Sequence, residues 1–237
     1  MTFTKHIPNA LTSLNLLMGT VAIALLAVDP RWSFYCILAG AVFDFFDGFA
    51  ARLLKAYSPI GKELDSLADL ITFGLAPSFM LFDRYSKLCA ESGVEGWTNY
   101  LPYASFLLVV FSALRLAKFN IDERQSTSFI GLPTPANALF WSSMALYAEV
   151  NISAMACHGL ALALILLFSY MMVAEVPMFS FKTKAFASIE GLFIGLLLAG
   201  ALALTILFGG IGLGLSIVWY ITLSLIRWAM TSAKPRD

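Results

Sequence analysis

An all-α integral membrane protein with about eight transmembrane helices is predicted from three observations. Apolar residues make up 59% of the 237-residue chain and charged residues only 13%, against about 45–50% and about 25% in soluble domains. The mean hydropathy is +0.81. Apolar runs close to 20 residues long, enough to cross a bilayer, recur along the whole chain with short polar breaks. In hydrocarbon every backbone N–H and C=O must be paired within the segment, so such runs fold as helices.

The spans fall in order near 10–28, 32–54, 64–82, 100–120, 132–150, 154–176, 186–208 and 211–230. The first begins after Lys5. Its apolar run from Ala10 to Val28 is longer than a secretory core, so it reads as a retained span. Asp29-Pro30, Ser58-Pro59, the polar stretch 83–99, the charged stretch 122–128 and Gly209-Gly210 separate the spans. With eight spans both termini share one side. Twelve of the fifteen Lys and Arg residues fall on that side, and only Arg31, Arg84 and Lys87 on the other. Positive residues favour the cytoplasm, so both termini are predicted there, in a bacterial-type inner membrane. The chain reads as one membrane domain over 1–237, without repeats.

The balance of 15 basic and 15 acidic residues excludes a nucleic-acid partner, which needs a basic face. Cys36, Cys89 and Cys157 are far apart and read as small packing residues. His6 and His158 read as ordinary interfacial or packed residues, with no Ser-His or Cys-His nucleophile in view. Gly191-x-x-x-Gly195 is a candidate helix contact between copies.

Chemistry concentrates in DFFDGFAARLLKAYSPIGKELDSLAD, residues 44–69. Asp44 and Asp47 are three apart and share a face of the second helix. Asp65 and Asp69 are four apart and share a face of the third. The turn between them carries Lys55, Ser58-Pro59, Gly61 and Lys62, which makes the two helices antiparallel neighbours. Each aspartate at the centre of a membrane helix costs about 2.5–3.5 kcal/mol, and four together repel. Lys and Arg on the turn offset part of that cost. A divalent cation offsets it more directly, because an all-carboxylate set suits Mg²⁺, Mn²⁺ or Ca²⁺ and not a soft metal. Two ions would match the two pairs and clamp phosphoryl oxygens. Gly48, Ala50 and Ala51 leave a helix face without bulk, and Arg52 is placed to grip a phosphate in bidentate fashion. A diphosphate ligand entering from the cytoplasm fits this pattern.

The segment resembles the CDP-alcohol phosphotransferase family, whose signature D-x-x-D-G-x-x-A-R-x8-G-x3-D-x3-D is matched by Asp44, Asp47, Gly48, Ala51, Arg52, Gly61, Asp65 and Asp69. The resemblance implies that Asp44, Asp47, Asp65 and Asp69 bind two ions of Mg²⁺ or Mn²⁺. It implies that Asp69 is also the general base, and that Gly48, Arg52 and Ser58 contact the CDP moiety. The reaction implied is direct displacement at phosphorus, with CMP as leaving group and no covalent enzyme intermediate. Three further stretches, Ile7–Asn15, Arg115–Asn120 and Gly131–Ala136, resemble the phosphatidylserine synthase branch. The expected substrates are therefore CDP-diacylglycerol and serine, with membrane lipids as surroundings and a homodimer by analogy.

Those stretches also carry a physical reading. Asn9, Thr12 and Asn15 recur every three residues as a polar stripe that either lines the nucleotide pocket or caps and back-bonds its own helix. Arg115, Lys118 and Asn120 either receive a serine carboxylate or anchor their helix at the interface. Lys182 and Lys184 either meet lipid phosphate or anchor likewise, with Glu175 and Glu190 as candidate partners for those lysines. Two rivals remain at this point. One keeps the chemistry with glycerol-3-phosphate or inositol phosphate as acceptor. The other is a divalent cation transporter, which explains the aspartates but not Gly48, Ala51, Arg52 and Gly61 at their spacing.

Overall fold

The computed structural model describes residues 6–92, 96–122, 129–147, 154–178 and 189–232. The expected positions of Lys182 and Lys184 lie outside them. Helices α1 (Ile7–Leu26) and α2 (Pro30–Leu53) form an antiparallel hairpin. Asp29 closes its turn: the carboxylate caps α2 by accepting from Arg31 N at 2.9 Å, with Pro30 in the first turn where no N–H is needed. The Arg31 guanidinium, bonded to the same group, holds the Asp29 carboxyl below its ordinary value.

After α2 the chain turns through Lys55 in the left-handed region (φ 49°). Ser58 then caps α3 (Pro59–Asp69) by accepting from Gly61 N at 3.0 Å. A π turn, Leu70–Leu75, joins α3 to α4 (Ala76–Ser92) without a break. The apolar rod Pro59–Glu91 is thus 33 residues long, or about 50 Å at 1.5 Å per residue. The expected span 64–82 is only its apolar middle. Helix formation continues through the polar signature because Ser58 and Pro59 start it well before hydropathy rises. The π turn begins directly after Asp69, a placement such turns often share with functional sites. It turns Thr72 towards α1, where its hydroxyl donates to Asn15 O at 2.9 Å.

A 3₁₀ segment, Trp97–Phe106, contains Pro102 and leads into α5 (Leu107–Ile121). Then follow α6 (Thr134–Tyr147), α7 (Ala154–Val173), α8 (Ile189–Phe208) and α9 (Gly210–Ser232). Among the described residues the helices form eight rods, matching the eight expected spans in order. Six are long and apolar enough to cross a membrane. Helix α6 is shorter and more enclosed, with Asn137, Phe140, Trp141, Ser142 and Ser143 buried. It packs against α4 and α9, and its burial by protein replaces the lipid contact that its neighbours keep. Helix α8 instead exposes Leu192, Leu198, Leu202 and Ile206.

Two apolar clusters hold the bundle. Ala22, Phe34, Ile37, Phe73 and Met80 join α1, α2, the π turn and α4. Tyr85, Leu108, Trp141, Phe168, Ile194 and Ile221 join α4 to α9. A small antiparallel pair, β1 (Phe129–Ile130) with β2 (Pro177–Met178), ties the α5–α6 and α7–α8 connections at the end that carries the signature. No span-finding rule anticipates two-residue strands.

Candidate active site

Helices α1, α2 and α3 build the site at one end of the bundle. Carboxylate oxygens of Asp44, Asp47 and Asp65 lie within 4.8 Å of one another. Asp47 and Asp69 are buried. Asp69, one turn deeper on α3, lies against the Asp44 carboxyl. The four aspartates expected from their spacing are therefore brought together, three in one tight group and the fourth beside it.

The polar stripe of α1 faces this cluster. Thr12 Oγ1 lies 2.6 Å from Asp47 Oδ2 and 3.0 Å from Pro8 O. Its single proton favours the carboxylate, the stronger acceptor. Asn15, fully buried, donates from Nδ2 to Asp69 Oδ1 at 3.2 Å, and its Oδ1 has no hydrogen-bond partner among the described residues. Asn9 reaches the start of α3: a Cβ on Gly61 would stand 2.8 Å from Asn9 Oδ1 and 2.9 Å from Ser58 Oγ. Only glycine admits α1 this closely, which gives the signature glycine a packing reason. Of the three stripe residues, Asn9 and Thr12 border the cavity described next, while Asn15 faces Asp69 outside it.

Between α1, α2 and α3 opens a cavity of about 210 Å³. Asn9, Thr12, Asp47, Gly48, Ala51, Arg52, Ser58, Gly61 and Asp65 line it. A Cβ on Gly48 would make only ordinary contact, 3.5 Å from Arg52 Nη1, so the missing side chain leaves open space in the cavity wall. Its lining combines the Asp47 and Asp65 carboxylates, the Arg52 guanidinium and the small residues Gly48, Ala51 and Gly61. That distribution suits a ligand with a charged diphosphate and a flat apolar or aromatic part.

Arg115 approaches the aspartates from the other side. It is buried on α5 and acts electrostatically on both Asp69 and Asp44. Its guanidinium lies 5.3 Å from the Phe119 ring centroid, a cation–π distance. Lys118 donates to Val173 O at 3.3 Å. Both line a second cavity, of about 320 Å³, with Ile121, Asp122, Ile130, Met172, Val173 and Glu175. Asn120 lies apart from them: its Nδ2 donates to Ser66 Oγ at 2.8 Å and its carbonyl accepts from Lys62 Nζ at 2.7 Å, clamping α5 to α3. Glu175, a candidate partner for Lys182 and Lys184, which lie outside the described residues, lines the second cavity with Arg115 and Lys118. Sequence spacing carried no signal for that, because residues 115 and 175 meet only through the packing of α5 on α7.

The donor set tests well for a divalent ion. Convergent carboxylate oxygens, with no nitrogen or sulfur ligand among them, form a hard site, and three close carboxylates in a partly buried pocket need a counter-charge. Cys89 and His158 are buried, as packing residues would be, and meet away from this site. Cys89 Sγ lies 3.8 Å from His158 Nδ1. Cys89 is 20 residues along the rod from Asp69, about 30 Å away by helix rise. The pair packs the opposite end of the bundle, with the Tyr85 ring tilted against His158, and takes no part in the aspartate site.

Residues 5–218 match the sequence model of the CDP-alcohol phosphatidyltransferase family. Among curated proteins, a CDP-diacylglycerol–serine O-phosphatidyltransferase of Bacillus subtilis is 34% identical over 187 residues, covering 78% of this chain and 97% of the relative. The proteins of that name from Methanocaldococcus jannaschii and Helicobacter pylori are 35% and 36% identical. Each of those two alignments covers 56% of this chain and somewhat more than half of the relative's length, 57% and 54%.

Proposed function

Since the chain belongs to the CDP-alcohol phosphatidyltransferase family, we propose that it transfers the phosphatidyl group of CDP-diacylglycerol to L-serine, giving phosphatidylserine and CMP. The observation that carries this reading is the convergence of the Asp44, Asp47 and Asp65 carboxylates, the last two lining a cavity together with Arg52. Serine as the acceptor is supported by the names of the relatives.

Asp44, Asp47, Asp65 and Asp69 would hold Mg²⁺ or Mn²⁺, two ions for the four carboxylates, and these would supply positive charge against the diphosphate. Arg52 binds a phosphate of the CDP unit at the rim. Asn9, Thr12, Gly48 and Ser58 shape the nucleotide cavity, Gly48 by leaving room. Asp69 accepts the proton of the serine hydroxyl as that oxygen bonds to the phosphorus bearing diacylglycerol. The bond from that phosphorus to the CMP oxygen breaks in the same displacement, so no enzyme-bound intermediate arises. Asn15 holds one oxygen of Asp69 through its Nδ2, which turns the other towards the proton. Thr12 orients Asp47 in the same way.

Arg115 and Lys118 receive the serine carboxylate, a role supported by Arg115 lining their cavity while acting electrostatically on Asp44 and Asp69. Lys182 and Lys184, on the α7–α8 connection, meet lipid phosphate, and Asn120 keeps α5 in place. The excess of Lys and Arg at the signature end supports a site facing the cytoplasm. A homodimer through the lipid-facing helices belongs to the same proposal. The test is CMP release by purified protein from CDP-diacylglycerol with serine, glycerol-3-phosphate or inositol phosphate as acceptor. Release with serine is expected, and release only with a phosphorylated acceptor overturns the serine assignment.

A further inference from the structure

The second cavity carries charge of both signs, which a pocket built only for an anion would not. Arg115 and Lys118 stand on α5, and Asp122, the C-cap of that helix, lines the same space. Glu175 faces them from the segment after α7. The C-terminal ends of two helices also meet here: Ile121 and Asp122 end α5, and Met172 and Val173 end α7. Helix C-termini carry partial negative charge, so backbone and side chains favour a cation on that side of the cavity. The buried Arg115, lining the same cavity, favours an anion.

The segment bearing Glu175 is held in place. Gly131 N donates to Val176 O at 2.9 Å, Leu132 N donates to Met171 O at 2.9 Å, and Ile130 pairs with Pro177. Gly131 adopts a φ of +77°, and a Cβ there would stand 2.5 Å from Met172 O. The chain at 129–132 is thus pressed on the end of α7, and Glu175 is fixed within two residues of those bonds.

We infer that Glu175, assisted by Asp122, receives the α-ammonium group of a zwitterionic acceptor whose carboxylate is held by Arg115 and Lys118, and so selects an amino acid over a phosphorylated alcohol. The inference rests on the proposed serine transfer and adds the residue that reads the amine. A dianionic acceptor meets the same two cations but places no positive charge against Glu175, Asp122 and the two helix ends. It is therefore disfavoured even though it is small enough to enter.

The test compares wild type with Glu175→Gln, Glu175→Asp and Asp122→Asn in the CMP-release assay. The acceptors are serine, glycerol-3-phosphate and 3-hydroxypropionate, the last of which keeps the hydroxyl and the carboxylate but lacks the amine. Glu175→Gln is expected to raise the KM for serine about tenfold or more, while the KM for CDP-diacylglycerol stays within twofold. The preference for serine over 3-hydroxypropionate narrows by the same factor. Glu175→Asp restores part of the serine affinity, and Asp122→Asn gives a smaller rise. An unchanged KM for serine in both neutral variants, or a rise in both substrates' KM together, overturns the assignment. Wild-type enzyme that ignores serine and uses glycerol-3-phosphate would overturn the parent reading and this one with it. Serine-dependent turnover that ignores the substitutions overturns this one alone.

Discussion

Replacing Asn15 by alanine isolates the support given to the proposed base. Asn15 Nδ2 donates to Asp69 Oδ1 at 3.2 Å inside the bundle, and α1 meets α3 at this point. A hydrogen bond to a charged group contributes about 1.5–3 kcal/mol. If that interaction is fully expressed when Asp69 takes the proton, kcat falls by about ten- to a hundredfold, since each 1.36 kcal/mol is a factor of ten in rate. The bond from the Thr72 hydroxyl to Asn15 O does not involve the Asn15 side chain, so the α1–π-turn contact survives the substitution. Asn15 does not line the nucleotide cavity, and the KM for CDP-diacylglycerol is expected to stay within about twofold. The assay is steady-state CMP release in detergent at saturating serine, with a thermal melt of the same preparation to verify folding. A folded variant with unchanged kcat would refute the positioning of Asp69 by Asn15. A raised KM at constant kcat would show that Asn15 binds substrate.

Two further substitutions probe the nucleotide cavity. Gly61→Ala forces its Cβ against Asn9 Oδ1 and Ser58 Oγ; displacing the Ser58 cap costs about 1 kcal/mol, and a lower melting temperature with a several-fold higher KM for CDP-diacylglycerol is expected. Arg52→Lys keeps the charge at the cavity rim but loses the planar fork, and it should raise the KM for CDP-diacylglycerol while leaving the KM for serine unchanged.

Much of the site was legible because its residues are close in sequence. Asp44 with Asp47, and Asp65 with Asp69, follow from helical spacing, and Ser58-Pro59 places the turn that makes their helices neighbours. The Thr12 contact to Asp47 and the Asn15 contact to Asp69 span 35 and 54 positions. The stripe on α1 announced polar side chains with a common direction but not which carboxylates they meet. Span prediction also stopped short on the third rod, because hydropathy falls across the signature while the helix continues to its cap at Ser58. The π turn after Asp69 leaves no mark in hydropathy, and neither does the β1–β2 pair. Asn120 sat beside Arg115 and Lys118 in the chain yet turns to Ser66. Glu175 reached the second cavity only through the docking of α7 on α5.

The most direct measurement of the central claim is CMP release from CDP-diacylglycerol and serine by wild type and Asp69→Asn, each with Mn²⁺ or Mg²⁺ and with EDTA. The account predicts release that requires serine and a divalent ion, and a loss of at least about a hundredfold in the variant, consistent with the 10²–10⁴-fold contribution of general base catalysis. Serine-dependent release by a folded Asp69→Asn protein at the wild-type rate, or release undiminished in EDTA, would contradict it.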